Sequence, residues 1–131
     1  MDTIRSEITN HVQYTQLQQI DIENLHEYAG KILVAGERVI NGGLFMTMRD
    51  QVAFTNKRII VINVQAITGK KASVASYPYA KMTRFVVQTA GLMDINSELA
   101  CFFQDGSALQ FDFWGNVDVL HLASAMSAYG I

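Results

Sequence analysis

The sequence predicts a mainly β (α+β) fold: an antiparallel barrel or sandwich of about seven short strands, capped by a C-terminal helix and preceded by a helical extension. Three observations predict it. Short runs between Val39 and Phe113 alternate apolar and polar residues, the periodicity of strands with one face buried. Polar turn pairs interrupt those runs at spacings of about 8–12 residues, as in small all-β domains. The final segment changes period: Val119, Leu122-Ala123, Met126 and Tyr129 fall on one helical face.

The totals fit one globular domain. The chain has 131 residues, of which 50% are hydrophobic and 17% charged, enough to bury a core without cross-links. Cys101 is the single cysteine, so no intramolecular disulfide forms. No window reaches the roughly 20 apolar residues that span a bilayer, and the N-terminus lacks a signal core, so a soluble, cytoplasmic protein is expected. The net charge is only -2, but its distribution is uneven. Seven of the ten Lys and Arg residues lie between Arg49 and Arg84, and Asp50 is the one acid in that span.

Residues 1–35 read as a helical extension and 36–131 as the main domain. Ile4, Ile8 and His11-Val12 recur at helical spacing, and Ile22, Leu25, Ala29 and Ile32-Leu33 repeat it after Asp21. Asp21 is placed as a cap or a kink, and Gly36 as the stop. Val39 to Met48 is the first strand, with a bulge or close backbone approach at Gly42-Gly43. Arg49-Asp50 turns into Gln51 to Thr55. Asn56-Lys57 turns into Arg58 and IIVINV, which is apolar on both faces and so predicts a strand covered on both sides. Thr68-Gly69 turns into Lys70 to Tyr77, a strand that Pro78 ends or marks as an edge. Met82 to Thr89 follows, then Ile95 to Phe103. Asp105-Gly106 predicts a type I′ hairpin into Leu109, Phe111 and Phe113. Asn116 is the expected N-cap of the last helix, with Asp118 in its first turn.

Several of these residues resemble the bacterial pleckstrin-homology-like domain family. They are Gly36-Glu37, Arg49-Asp50, FTNKRIIVINVQAITGKK from Phe54 to Lys71, Tyr77-Pro78-Tyr79, Thr89-Ala90-Gly91 and Glu98. The resemblance covers roughly residues 32 to 130. It implies a pleckstrin-homology-like barrel of two orthogonal antiparallel sheets capped by the C-terminal helix. It also implies ring-like homo-oligomers joined edge to edge, a pentamer among the possible sizes, and no assigned activity. Gln88 departs from the family pattern, which has an acid before Thr89-Ala90-Gly91.

The residues argue against catalysis. His11, His26 and His121 are far apart and lack His or Cys partners at metal-ligand spacing, so no metal is expected. Cys101 falls on an inward strand face, where packing explains it. No nucleophile elbow or glycine-rich phosphate loop is present, and Asp94 and Glu98 fit solvated surface acids. No enzyme and no cofactor is expected. Two binding readings remain. In the first, sheet edges pair between copies, and the protein is a homo-oligomeric assembly module, with other proteins as further partners. In the second, Arg49, Lys57, Arg58, Lys70 and Lys71 gather at one rim and hold an anionic ligand or lipid headgroup. The Arg49-Asp50 loop is short for wrapping a headgroup, so assembly leads. Nucleic acid is set aside: Tyr77 and Tyr79 are the sole stacking candidates, and Trp114 is expected to plug the core between sheet and helix.

Overall fold

In the computed structural model, residues 11–64, 71–92 and 95–129 are described. Among them eight strands join in the order β5-β4-β3-β2-β1-β8-β7-β6. These are β1 (His11–Gln19), β2 (Val39–Thr47), β3 (Asp50–Thr55), β4 (Arg58–Val64), β5 (Ala72–Pro78), β6 (Met82–Gln88), β7 (Ser97–Phe103) and β8 (Ala108–Phe113). Two helices accompany them, α1 (Glu27–Ile32) and α2 (Val119–Tyr129).

β1 corrects the expected N-terminal helical extension. Its first part runs parallel to β8, with Val12 opposite Leu109 and Tyr14 opposite Phe111, and its end runs antiparallel to β2, with Gln18 opposite Met46. The strand passes from one half of the sheet to the other at Gln16, where φ is +54° and the register with β8 slips. The inward residues are Val12, Tyr14 and Leu17. The bulge stretches the alternation from two to three between Tyr14 and Leu17, which breaks the period-2 signal of a strand. Residues 1–10 of the expected first helix lie outside the described residues. The second expected helix is shorter than its pattern, a 3₁₀ turn at Ile22–Asn24 followed by α1. Leu25, with ψ 131°, and His26, with ψ 138°, are extended and divide the two. Gly36, at φ +79°, serves the Val34–Glu37 turn.

Two apolar clusters result. The barrel interior holds Phe45, Phe54, Ile59, Val61, Leu99, Phe111 and Phe113, and α2 seals it with Val119, Leu122 and Met126. On the outer side of β2, β3 and β4, Ala29 of α1 packs with Leu44, Ala53, Ile60 and Ile62. This second cluster explains IIVINV. Ile59 and Val61 face the interior, while Ile60 and Ile62 lie beneath α1, so β4 is covered on both faces.

The glycine bulge in β2 is real: the register with β3 shifts between Val39 and Leu44, and Gly42 has φ +73°. A Cβ on Gly43 would stand 2.8 Å from the Ile40 carbonyl oxygen. The β7–β8 turn differs from the type I′ expectation. The Gly106 N–H donates to the Phe103 carbonyl and Gly106 alone has positive φ, at +88°, so the loop is a wider turn closed by a glycine. Asp105 Oδ1 accepts from the Ser107 N–H at 2.9 Å and the Ser107 hydroxyl at 2.6 Å, and these hydrogen bonds hold its carboxyl below the usual range. The cap of α2 also differs. Asp118, not Asn116, accepts from the His121 N–H, at 3.1 Å.

Candidate functional site

The four described basic turn residues, Arg49, Lys57, Arg58 and Lys71, divide between two ends of the sheet. Arg49 follows β2, and the bond from the Val64 N–H to Asp50 Oδ1, at 2.9 Å, brings the end of β4 beside that turn. Val64 pairs with Ala72, so Lys71 belongs to the same end. Lys57 and Arg58 lie at the far end of β3, whose six residues at about 3.3 Å each separate the groups by about 20 Å. Lys70 is outside the described residues. Antiparallel connectivity therefore does not bring the described four to one rim: successive turns alternate ends.

Arg58 is committed within the fold. Its Nε donates to Glu37 Oε2 at 2.9 Å and its Nη2 to Glu37 Oε1 at 2.8 Å, a two-pronged ion pair. The same guanidinium donates to the Ile32 carbonyl at 2.7 Å and to Ser76 Oγ at 3.2 Å. The Glu37 side chain is fully buried. Burial pushes its carboxyl up, but hydrogen bonds from Arg58, Thr55 and the Val34 N–H, with the Arg58 charge, together hold it at about 2.

Neighbouring motif residues extend this network. The Thr55 hydroxyl donates to Glu37 Oε2 at 2.7 Å and accepts from the Lys57 and Arg58 N–H groups, each at 3.0 Å. Asn56 accepts from the Arg38 N–H and donates to the Gly36 carbonyl. The Tyr79 hydroxyl donates to the Thr55 carbonyl at 2.7 Å. Burial is the main cause pushing the pKa of that phenol up, and it removes Tyr79 as a stacking platform. Neither the burial of Glu37 nor the bond that Arg38 donates to the Tyr129 hydroxyl, at 2.8 Å, is signalled by local pattern. Both pairs join residues distant along the chain, which is invisible to periodicity.

The other candidates are placed plainly. His26 caps α1, its Nδ1 accepting from the Tyr28 N–H, and His121 Nε2 lies 3.1 Å from the Asn41 carbonyl oxygen. Burial pushes the Cys101 thiol up to about 12, far from a reactive thiolate. Asp94 is outside the described residues, and Glu98 stands opposite Asp112 and Gln88. An acid at position 88 would set like charges side by side, which Gln88 avoids. Trp114 corrects the expected plug. It is 52% exposed, because Phe113 is the inward residue at the end of β8 and the next side chain points away.

The sheet ends at β5 and β6, and two adjoining clefts, of about 280 and 330 Å³, open where it fails to close. They share Ser76, Tyr77, Asp105 and Ser107. Tyr77 and Phe103 pack with ring centroids 5.4 Å apart. This is a surface for apolar and hydrogen-bonding contacts.

This architecture has relatives. The family model described as the bacterial PH domain matches residues 9–129. The chain belongs to that family. The start of the match agrees with the position of β1 inside the PH-like sheet. A PH domain protein from Shewanella loihica superposes with a TM-score of 0.73 at 28% identity, over 90% of this chain and all of that one. A second, from Shewanella amazonensis, gives 0.61 at 30% identity, over 87% and 91%. In Bacillus subtilis, the uncharacterised protein YjqA is 44% identical over 75 residues, 57% of this chain and 58% of its own length. The uncharacterised protein YozO is 28% identical over 98 residues, 75% and 82% of the two chains. The match thus spans little over half of YjqA. Among the described residues, no helix of the PH domain is long and apolar enough to cross a membrane.

Proposed function

We propose that this PH-like domain is a non-catalytic, cytoplasmic assembly module that forms a ring-like homo-oligomer through its sheet edges. The observation that carries this reading is the edge strand β5. Its sequence, ASVASYP, has no charged residue, and among the described residues β5 pairs with β4 alone. Soluble proteins usually guard such an edge with Lys, with proline inside the strand or with a covering element. Here the one proline, Pro78, is the last residue of the strand. Pairing between copies satisfies the edge, and a head-to-tail repeat that closes gives a ring.

The test is the mass in solution by size-exclusion chromatography with light scattering, at low and high salt. A discrete multiple of 14.6 kDa is expected. A monomer at all concentrations refutes the reading.

A second reading is anion or lipid-headgroup binding at the Arg49 and Lys71 end. It is favoured by Met48, 88% exposed at the turn beside Arg49, an apolar tip next to a cation. Co-sedimentation of the protein with vesicles of phosphatidylserine, lost in Arg49→Glu/Lys71→Glu, tests it. Equal sedimentation with neutral phosphatidylcholine vesicles, or none with either, refutes it.

A further inference from the structure

Four large apolar side chains stand exposed at one end of the barrel. Gln88 at the end of β6 pairs with Glu98, and Ser97 at the start of β7 pairs with Phe113 at the end of β8, so the β6–β7 connection and the exit of β8 lie together. Leu92 and Ile95 belong to that connection, and Trp114 follows β8. The Gly115 N–H donates to Asn96 Oδ1 at 3.0 Å, which fastens the backbone beside Trp114 to the residue after Ile95. Leu120, in the first turn of α2, lines a cleft of about 420 Å³ with Thr89 and Ala90, the residues that follow β6. Leu92 is fully exposed, and Ile95, Trp114 and Leu120 are each more than half exposed. Single apolar residues scattered on a surface need no account, but several gathered at one end mark a contact surface.

The charge of the segments that build this end is one-sided. From Phe85 to Ile131 the sequence has five acids, Asp94, Glu98, Asp105, Asp112 and Asp118, and no Lys or Arg. Glu98 and Asp112 stand opposite each other in β7 and β8, and Asp118 is exposed just before α2. An apolar surface rimmed by acids repels an anionic lipid surface, and it repels the same patch on another copy. It complements apolar groups flanked by Lys and Arg.

We infer that this end of the barrel docks a basic amphipathic helix of a partner protein. The apolar face of that helix covers Leu92, Ile95, Trp114 and Leu120, with one side chain entering the cleft beside Leu120, and its Lys and Arg residues meet Glu98, Asp112 and Asp118. A helix suits the surface, which consists of side chains from two loops and one helical turn. Apolar anchors spaced three or four residues apart reach such a patch without any strand pairing. Trp114 and its apolar neighbours supply the affinity, and the acids select a basic partner over an acidic one. The docking uses neither open edge of the sheet, so it holds or fails independently of the assembly reading.

Trp114 is the single tryptophan of the chain, so its emission reports on this surface alone. The full chain is titrated with an amphipathic helical peptide made of Leu and Lys, with the same peptide carrying Glu in place of Lys, and with phosphatidylcholine vesicles. A saturable blue shift with the Lys peptide alone is expected. Ile95→Lys and Leu120→Lys should each raise the dissociation constant at least about tenfold, and Glu98→Lys about threefold with a flatter salt dependence. Far-ultraviolet circular dichroism checks that the variants fold. No shift with the Lys peptide, or a shift that folded Ile95→Lys and Leu120→Lys leave unchanged, overturns the docking surface. An equal shift with the Glu peptide removes the charge selection, and a shift with the vesicles makes this end a membrane contact; either overturns the proposal. An emission that moves to the blue with protein concentration alone assigns the surface to a second copy and overturns it as well.

Discussion

Replacing Arg58 with Met tests whether the most recognisable stretch of the sequence fastens the fold or binds a ligand. Arg58→Met keeps much of the aliphatic stem but removes both donors to Glu37 and the donors to the Ile32 carbonyl and Ser76. Glu37 is then a fully buried carboxylate without its counter-charge. Removing one partner of a buried pair costs about 3–5 kcal/mol. The Arg58 side chain is 17% exposed, so water relieves part of the loss and the low end applies. The acidity of Glu37 gives a second route. Its carboxyl sits at about 2 instead of 4.5, which at roughly 1.4 kcal/mol per tenfold is about 3 kcal/mol. The two routes agree on a loss of about 3 kcal/mol at pH 7, or roughly 10 °C in melting temperature.

The pH dependence has a definite sign. A depressed carboxyl contributes stability that is full above 4.5 and is lost as pH falls towards 2. In Arg58→Met the Arg58 contributions that depress Glu37 are gone while burial still pushes it up, so the stability that the depressed carboxyl supplies is lost. The gap between wild type and variant is therefore widest at pH 7 and narrows below about pH 4.5. Urea unfolding followed by circular dichroism, at one fixed protein concentration from pH 7 to pH 3, measures it. A loss below about 1 kcal/mol at pH 7, or a gap that stays constant to pH 3, refutes the argument and returns Arg58 to the ligand candidates.

Three further changes follow from single contacts. Tyr79→Phe leaves the buried Thr55 carbonyl without its donor, and urea midpoints should show a loss of about 1–2 kcal/mol with an unchanged slope. Gly43→Ala drives a methyl against the backbone oxygens of Ile40 and Phe54, at 2.8 and 3.0 Å, and thermal melts should report at least about 2 kcal/mol of destabilisation. Asp105→Pro removes the acceptor for Ser107 and puts proline at the third position of the Phe103–Gly106 turn, a position that disfavours it. Its melting temperature should fall by several degrees, and a wild-type value would show that the turn does not depend on that geometry.

Strand order from Val39 to Phe113 was legible because each strand keeps one face in the barrel and each turn carries its own residues. Pro78 was readable as a strand end, and it also marks an edge. β1 was not legible, because its bulge at Gln16 breaks the alternation and because its partner β8 lies some 95 residues further on, a parallel pairing that no hairpin signal announces. Trp114 was misplaced for a local reason. Large aromatic residues usually plug cores, but here strand parity decides, and Phe113 takes the inward position. The basic cluster failed on topology, since composition counts charges along the chain while antiparallel turns send them to opposite ends.

The motif residues themselves explain why family membership fixes the fold more firmly than the function. Glu37, Thr55, Asn56, Arg58 and Tyr79 spend their polar groups on one another and on nearby backbone. A network of this kind locks the start of β2, the β3–β4 turn and the approach to β6 in one arrangement, and it presents no free group to a ligand. Any PH-like chain that needs this corner closed has reason to keep these residues, whatever it binds. Function must then reside in residues the network leaves out. Within the motif-rich region, the stretch that fits is β5, lying between Lys71 and Tyr79 and bare of charge. Its Ser76 receives Arg58 Nη1 on one side, so the fastened corner holds the strand while, among the described residues, no strand pairs with its outer edge. A rigidly held strand with an open edge is suited to receiving another strand, because little conformational freedom remains to be lost on pairing.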